Sequence, residues 1–404
     1  MKITSELNAI DTPGFGLIVH SGAEIFSQFL GRRTLKPARP LTRDTRFRVA
    51  SVSKMFTIFG VMLLVERGKI SLDEDAGKYL GFELRNPTCP RKITVRMLAS
   101  HTSGLRDGKI YSIPPNFSVE EFFKPHGKFW ENGAHFAPQS EPVGEYFSYS
   151  NLNYGLLGTI VEAVTGQRFD EYQRENVFAP LEIRAEYLPG NFSAADFANL
   201  GTTYQKKNPA GQWNEFGEWF GKADDFRGVQ PARDTVALQN PYAENFQGTY
   251  DLSGYRVGTN ATIFSPQGGL RISYTELSHV LEMLLSGGKF RGRQILSGES
   301  LAEMFRPQWS FDGKNGDTDG GAFKNYGLGT YSTEIFGRRW LGHAGSAFGL
   351  QSGIFVSGGA GFTYMFNGTA VSEDDERSRG KVSGNYIWEE KIFHAVTALT
   401  DKKI

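Results

Sequence analysis

Apolar and polar positions first alternate along this chain and then run together. Phe15 to His20 and Glu24 to Phe29 are strand-like runs separated by Ser21-Gly22, and the pair reads as a hairpin. Thr45 to Val49 is a third candidate strand. From Met55 to Val65 the chain is apolar almost all round, which predicts a buried helix, with Gly68 placed to end it. Residues 86 to about 150 read as irregular, punctuated by Pro87, Pro90, Pro114, Pro115, Pro125, Pro138 and Pro142. Helical spacing returns at Leu152 to Val164, with Gly166 as its stop. Residues 200 to 260 are rich in Gly, Asn and aromatics, among them Trp213, Trp219, Phe220, Tyr242 and Tyr250. A long irregular stretch of this kind usually covers a site or moves. Thr275 to Ser286 predicts another helix. Arg338 to Leu341, Leu350 to Val356 and Phe362 to Phe366 predict successive strands, and Tyr386 to Leu399 a closing helix. Strands thus sit at both ends of the chain, with helix and loop between them.

Charge narrows the function classes. The 404 residues carry 44 Lys plus Arg against 44 Asp plus Glu, a formal net charge of zero. A nucleic-acid binder usually needs a basic surplus to meet phosphates, so no nucleic-acid partner is expected. The longest acidic cluster, Glu373 to Glu376, is too short for an interaction tail. Cys89 is the only cysteine, so no intramolecular disulfide can form, and its Pro87-Thr88-Cys89-Pro90 setting lacks the helix start that would activate a thiol. The opening Met-Lys-Ile-Thr-Ser-Glu has no signal-peptide pattern, and no apolar run is long enough to span a bilayer. The expectation is a soluble, cytoplasmic chain, or a periplasmic one whose signal has been removed.

The candidate chemistry begins at Ser51-Val52-Ser53-Lys54, where a strand-like run gives way to the buried helix. Residues three apart on a helix share a face. Ser51 and Lys54 would therefore point the same way. A serine hydroxyl needs a neighbour to take its proton. A lysine can do so when burial lowers its pKa, and the apolar run after Lys54 supplies burial. Taken alone, Ser51 reads equally well as an ordinary helix N-cap. Two further S-x-x-K copies, at Ser286 to Lys289 and Ser378 to Lys381, lie in polar, Gly-containing stretches and read as surface loops.

The order of motifs changes those odds. Tyr149-Ser150-Asn151 is the chain's only Y-x-N, and His343-Ala344-Gly345 follows near the end. With Ser51 to Lys54, this order resembles the serine β-lactamases and penicillin-binding proteins, and among them class C β-lactamases, D-Ala-D-Ala carboxypeptidases, D-aminopeptidases and related esterases. Phe47 to Lys54, Leu98 to Leu105, Phe147 to Gly166 and Gln267 to Leu270 are similar to the family as well. The similarity runs from about residue 40 to 370.

The resemblance implies an α+β fold of the β-lactamase/transpeptidase type, an antiparallel sheet flanked by helices plus a mainly helical subdomain. It implies one catalytic domain over 1–404, with an α/β part at 1–90 and 260–404 and a helical and loop part at 91–259. It implies Ser51 as nucleophile, Lys54 as the group that activates it, and Tyr149 as a partner sharing the proton. Asn151 would bond Lys54 and the substrate amide. Backbone N–H groups of Ser51 and Ser346 would form an oxyanion hole, and Gly345 would join Asn151, His343 and Ser346 in binding the substrate. His343 would contact the substrate carboxylate or the proton network. Each has a plainer reading: Tyr149 as a core tyrosine, Asn151 as a helix cap, His343 as a strand surface residue. His101 is expected to be a packed histidine in a structural turn.

The implied reaction is acyl transfer through an acyl-enzyme, with no metal or cofactor. No H-E-x-x-H, G-x-S-x-G, G-x-G-x-x-G or P-loop competes with that reading. H-x-G in place of K-T-G departs from the usual β-lactamase pattern. A histidine is charged only part of the time near neutrality. The resemblance places H-x-G more often in peptidases, amidases and esterases. Three functions follow: a hydrolase of small esters, amides or D-amino-acid peptides; a β-lactamase or D-Ala-D-Ala carboxypeptidase; or a non-catalytic binding member of the fold. The aromatic loops at 105–148 and 202–259 either wall an acyl pocket or pack on their own rings.

Overall fold

Strand β1 (Gly14–Ser21) is buried along nearly its whole length, because both faces of its sheet are covered. Its side chains alternate between two cores: Phe15, Leu17 and Val19 enter one cluster, and Ile18 the other. The computed structural model describes residues 10–222, 224, 226–238, 248–372 and 374–401. Tyr242 and Glu373 lie outside the described residues.

Among the described residues, nine antiparallel strands form the main sheet. They are β1, β2 (Ala23–Leu35), β3 (Ala38–Pro40), β4 (Trp309–Ser310), β5 (Asn325–Tyr326), β6 (Tyr331–Ile335), β7 (Arg338–Ala347), β8 (Leu350–Ser357) and β9 (Ala360–Phe366). Their spatial order is β4-β5-β6-β7-β8-β9-β1-β2-β3. The two ends of the sequence therefore meet at β1 and β9, with Phe15 opposite Phe366 and Leu17 opposite Tyr364.

Helices cover both faces. Helices α1 (Ser53–Glu66), α2 (Leu152–Thr165) and α3 (Tyr274–Leu285) share one core with Ile18, Ile354 and Met365. Helix α1 shows no polar face because it is buried on every side up to Leu64. Gly68 and Gly166 take positive φ after α1 and α2, where the chain must turn out of the helix. Ser273 caps α3 in a capping box with Glu276, and Arg46 bonds both Glu276 and Asp196. Helix α4 (Ile387–Thr400) covers the opposite sheet face, placing Trp388, Ile392, Phe393 and Val396 against Leu17, Phe355 and Phe362.

Three expectations change on folding. The strand expected over Arg338 to Leu341 continues to Ala347, carrying His343 and Gly345 within it. Thr45 to Val49 shortens to Arg46–Arg48 and pairs with Arg271–Ser273 outside the main sheet. The stretch 200–260 contains strands Thr203–Lys207, Glu218–Lys222, Thr235–Leu238 and Gly248–Asp251. These form a hairpin whose inner strand also meets Gly368–Thr369, and a separate pair, largely half-buried or exposed. Strands with so little buried face leave little apolar alternation in the sequence.

Trp340 tests the α4 side of the sheet. It is fully buried, with ring centroids 5.0 Å from Phe362 and 5.9 Å from Phe393. Trp340→Ala should lower unfolding free energy by about 3–5 kcal/mol, read as a shifted midpoint in urea denaturation; an unmoved midpoint would contradict this packing.

Candidate active site

Ser51 sits in a 3-10 turn, Ala50–Val52, that leads into α1. Ala50 holds a left-handed φ of 44°, strained for a residue with a Cβ. Ser352 Oγ donates to Val49 O at 2.8 Å and pins the entrance to this turn. Strand β7 passes directly against it. A Cβ on Gly345 would stand 2.4 Å from Val49 O and 2.9 Å from Ser51 N, so only glycine permits this approach.

One turn further on, Lys54 is fully buried. Its Nζ lies 3.1 Å from Ser51 Oγ, 2.9 Å from Asn151 Oδ1 and 3.1 Å from Gln267 O. It also stands 4.6 Å from the centre of the Tyr149 ring and 5.3 Å from that of Tyr154. Burial pulls its pKa down to about 7, and the nearby Asp107 carboxylate opposes only part of that fall.

Asp107 organises the other side. Its Oδ2 accepts from Asn151 Nδ2 at 2.8 Å, and its Oδ1 accepts from Ser150 Oγ and from Leu152 N, both at 2.9 Å. The Asn151 amide is thereby fixed with its oxygen toward Lys54. Asn151 opens α2, so this one carboxylate sets both the start of that helix and the amide orientation.

Tyr149 lies between these groups. Burial pushes its phenol well above the ordinary tyrosine range and keeps it protonated, with the nearby Ser51 side chain opposing only part of that rise. Its ring stacks on Phe323 at 5.5 Å and lies 4.3 Å from the His101 ring. His101 is fully buried, and its Nδ1 accepts from Ser150 N at 3.1 Å, in keeping with a packed turn histidine.

Ser51, Tyr149, His343, Gly345 and Ser346 line one cleft of about 310 Å³. Ser346 Oγ accepts from Gln351 Nε2 at 2.8 Å. Within His343 both ring nitrogens are engaged: Nδ1–H donates to Ala344 O, and Nε2 accepts from the Tyr326 hydroxyl at 2.8 Å. Burial, with Lys54 nearby, depresses its pKa to about 3. The ring is therefore neutral and offers the cleft no free nitrogen, which removes the charge that a contact with a substrate carboxylate would use.

The structure thus brings Ser51, Lys54, Tyr149 and Asn151 into direct contact and places Gly345 against Ser51. It also adds groups that spacing did not reveal. Asp107 and the Gln267 carbonyl belong to the Lys54 cage, although both follow or lie within family-like stretches. The rest of the cleft wall comes from Asp317, Asp319, Ala322, Phe323, Tyr331, Ala344, Gln351, Arg379, Asn385, Tyr386 and Glu389. The S-x-x-K copy at Ser378 is not a plain surface loop: Ser378 is fully buried and Arg379 faces the cleft, because the segment is folded in ahead of α4. Rings at 105–148 such as Phe117, Phe122 and Phe129 pack on one another instead of lining this cleft. Among the described residues, no group of three His, Cys, Asp or Glu side chains is placed to hold a metal, and no helix is long and apolar enough to cross a membrane.

A family model described as Beta-lactamase matches residues 3–383. Penicillin-binding protein 4 of Amycolatopsis lactamdurans is 28% identical over 215 residues, covering 50% of this chain and 52% of that protein. Protein flp of Staphylococcus aureus (strain MRSA252) is 25% identical over 207 residues, covering 50% of this chain and 40% of the relative. These matches span about half or less of the curated relatives' length. Among solved structures, D-amino acid amidase from Ochrobactrum anthropi SV3 superposes with a TM-score of 0.66 at 19% identity, covering 100% of this chain and 98% of that one. D-stereospecific amidohydrolase from Streptomyces sp. gives 0.58 at 22% identity, covering 98% and 96%. At these identities the likeness establishes the fold, the β-lactamase/transpeptidase arrangement of an antiparallel sheet between helices.

Asp107→Asn should set an amide NH2 against donors where the carboxylate accepts three bonds, and so release Asn151. In a hydrolase that uses Ser51 and Lys54, turnover should fall by roughly 10²-fold, the usual scale for a side chain displaced by about 1 Å at a reacting centre. Loss of the anion also removes a force that raises the Lys54 pKa, so the acid limb of the pH–rate profile should move to lower pH. An unshifted limb would make Asp107 a purely structural residue.

Proposed function

Because the chain belongs to the Beta-lactamase family, we propose that it is a serine hydrolase working through an acyl-enzyme on small esters, amides or D-amino-acid peptides. The observation that carries this reading is the 3.1 Å contact between the fully buried Lys54 Nζ and Ser51 Oγ. A neutral amine has two protons and one lone pair. As a neutral amine, Lys54 would donate its two N–H groups to Asn151 Oδ1 and Gln267 O and turn its lone pair to the Ser51 hydroxyl.

In the reaction, Ser51 Oγ loses its proton to Lys54 and bonds to the substrate carbonyl carbon. The carbonyl oxygen becomes an oxyanion held by the backbone N–H groups of Ser51 and Ser346. As the tetrahedral intermediate collapses, the bond to the leaving amine or alcohol breaks, and the leaving group takes its proton from the Lys54–Tyr149 pair. Water repeats the sequence in the second half, giving up a proton to Lys54 and releasing the acid with Ser51 restored. Tyr149, held as a neutral phenol, serves as acid and relay, and Lys54 serves as base. Residues 91–259 supply Asp107, Tyr149 and Asn151, and the rest of the chain supplies Ser51, Lys54 and β7, so the whole acts as one catalytic unit. The names of the structural relatives favour amides. Penicillin binding, which the curated relatives' names suggest, is the second reading.

Intact-mass measurement after a fluorophosphonate reagent and, separately, a penicillin separates these readings. We expect a phosphonate adduct on Ser51 that is absent in Ser51→Ala. A penicilloyl adduct or penicillin turnover would favour the second reading, and no modification by either reagent would leave a binding protein. Ser51→Ala and Lys54→Ala should each lose several orders of magnitude in turnover. Lys54 must be neutral to act, and its pKa lies near 7, so kcat/KM should rise with pH through about 7. A rate flat from pH 6 to 9 would argue against Lys54 as the base.

A further inference from the structure

A file of rings leads from the nucleophile to the far end of the cleft. Tyr149 stacks on Phe323, Phe323 meets Tyr331 edge-on at 5.2 Å, and Tyr331 and Tyr386 line the cleft together with Glu389. Glu389 stands in the first turn of α4, 2% exposed. Its Oε2 accepts from Tyr386 N at 3.0 Å, as a capping carboxylate would, and its Oε1 accepts from the Tyr364 hydroxyl at 2.6 Å. A carboxylate has about four lone-pair sites, so two bonds leave acceptor capacity unused.

The charges nearby do not use that capacity. Arg379 is paired with Asp319 at 2.6 Å and stacked on Tyr386 at 4.5 Å. Asp317, Asp319 and Glu389 place three carboxylates on the cleft against that one guanidinium. Lys54 is enclosed by its own partners, and His343 is neutral. The far end of the cleft therefore combines aromatic faces, which attract cations, with a surplus of negative charge.

On the premise that Ser51 is the nucleophile of a hydrolase, we propose that Glu389 is a specificity residue that receives a primary ammonium group of the substrate, with the substrate's apolar part against Phe323 and Tyr331. The substrate class is then amides or esters of amino-group-bearing acids, or peptides with a free amine, in preference to carboxylate-bearing ligands. Burial raises the Glu389 pKa to about 7, with the Tyr364 hydroxyl, the Tyr386 N–H and Arg379 opposing the rise and Asp319 adding to it. Tyr331, facing Glu389, stays a neutral phenol, and Asp317 lines the same wall. Ammonium recognition should accordingly strengthen as pH rises through that value.

Calorimetric titration of the full chain with 2-phenylethylamine, 2-phenylethanol and 3-phenylpropionate at pH 8 tests this without relying on turnover. The amine should bind roughly 10- to 100-fold tighter than the alcohol, the scale of one charge-assisted hydrogen bond, and the carboxylate should bind weakest. In Glu389→Gln the amine should fall to the level of the alcohol, with the melting temperature confirming a folded protein. In the wild type, the advantage of the amine should shrink as pH is lowered from 8 to 6, a check that needs no variant. Equal binding of amine and alcohol, or a preference that survives in Glu389→Gln, would overturn the proposal. Phosphonate labelling of Ser51 is read separately, so failure of the hydrolase reading and failure of ammonium recognition leave different signatures.

Discussion

The buried nitrogen of Lys54 is the constraint from which the site is built. A cationic amine without water must find hydrogen-bond partners or give up its proton. Here it does some of each. Its three partners come from three distant parts of the chain: the turn before α1, the start of α2, and the Gln267 carbonyl ahead of the short strand that pairs with Arg46–Arg48. Holding one nitrogen in place therefore fixes how those segments meet. Asp107 stands behind this arrangement, near enough to favour the charged lysine and bonded so as to aim Asn151.

Burial acts on the neighbouring groups in the same sense. Lys54, Tyr149 and His343 are each driven toward the uncharged form, although they start from very different ordinary values. Three neighbouring groups held uncharged leave the backbone dipoles around Ser51 little to compete with locally. The close passage of β7 across the Ser51 turn, which Gly345 permits, brings such dipoles near the Ser51 hydroxyl.

Much of this was legible in the sequence where a local pattern forces the outcome. The apolar run behind Lys54 had to be a buried helix. Ser51 and Lys54, three apart at its start, had to share a face. The Ser21-Gly22 turn and Gly166 marked a hairpin and a helix end through backbone conformation alone. What stayed hidden depends on contacts between distant residues. Asp107 is a lone acid in a loop, without periodicity or motif of its own, and its importance appears only when Asn151 arrives beside it. The cleft wall from Asp317 to Glu389 is assembled across the sheet and the entrance to α4, so polar residues that look solvent-facing in sequence become lining. His343 could be placed on a strand near the end, but its neutrality follows from Tyr326 and Ala344, partners that only the folded sheet supplies.

The sheet order also carries a timing problem. Strand β1 is apolar on both faces and is made long before β9, which begins at Ala360 and closes one of its edges. At ordinary synthesis rates, some 340 residues separate these strands by on the order of tens of seconds. Throughout that interval the nascent β1–β2 hairpin presents an open, greasy edge of the kind that recruits other chains. For a chain with this sheet order, translation time is itself a variable of folding, one that temperature or a ribosome-associated chaperone changes without touching any residue of the finished molecule.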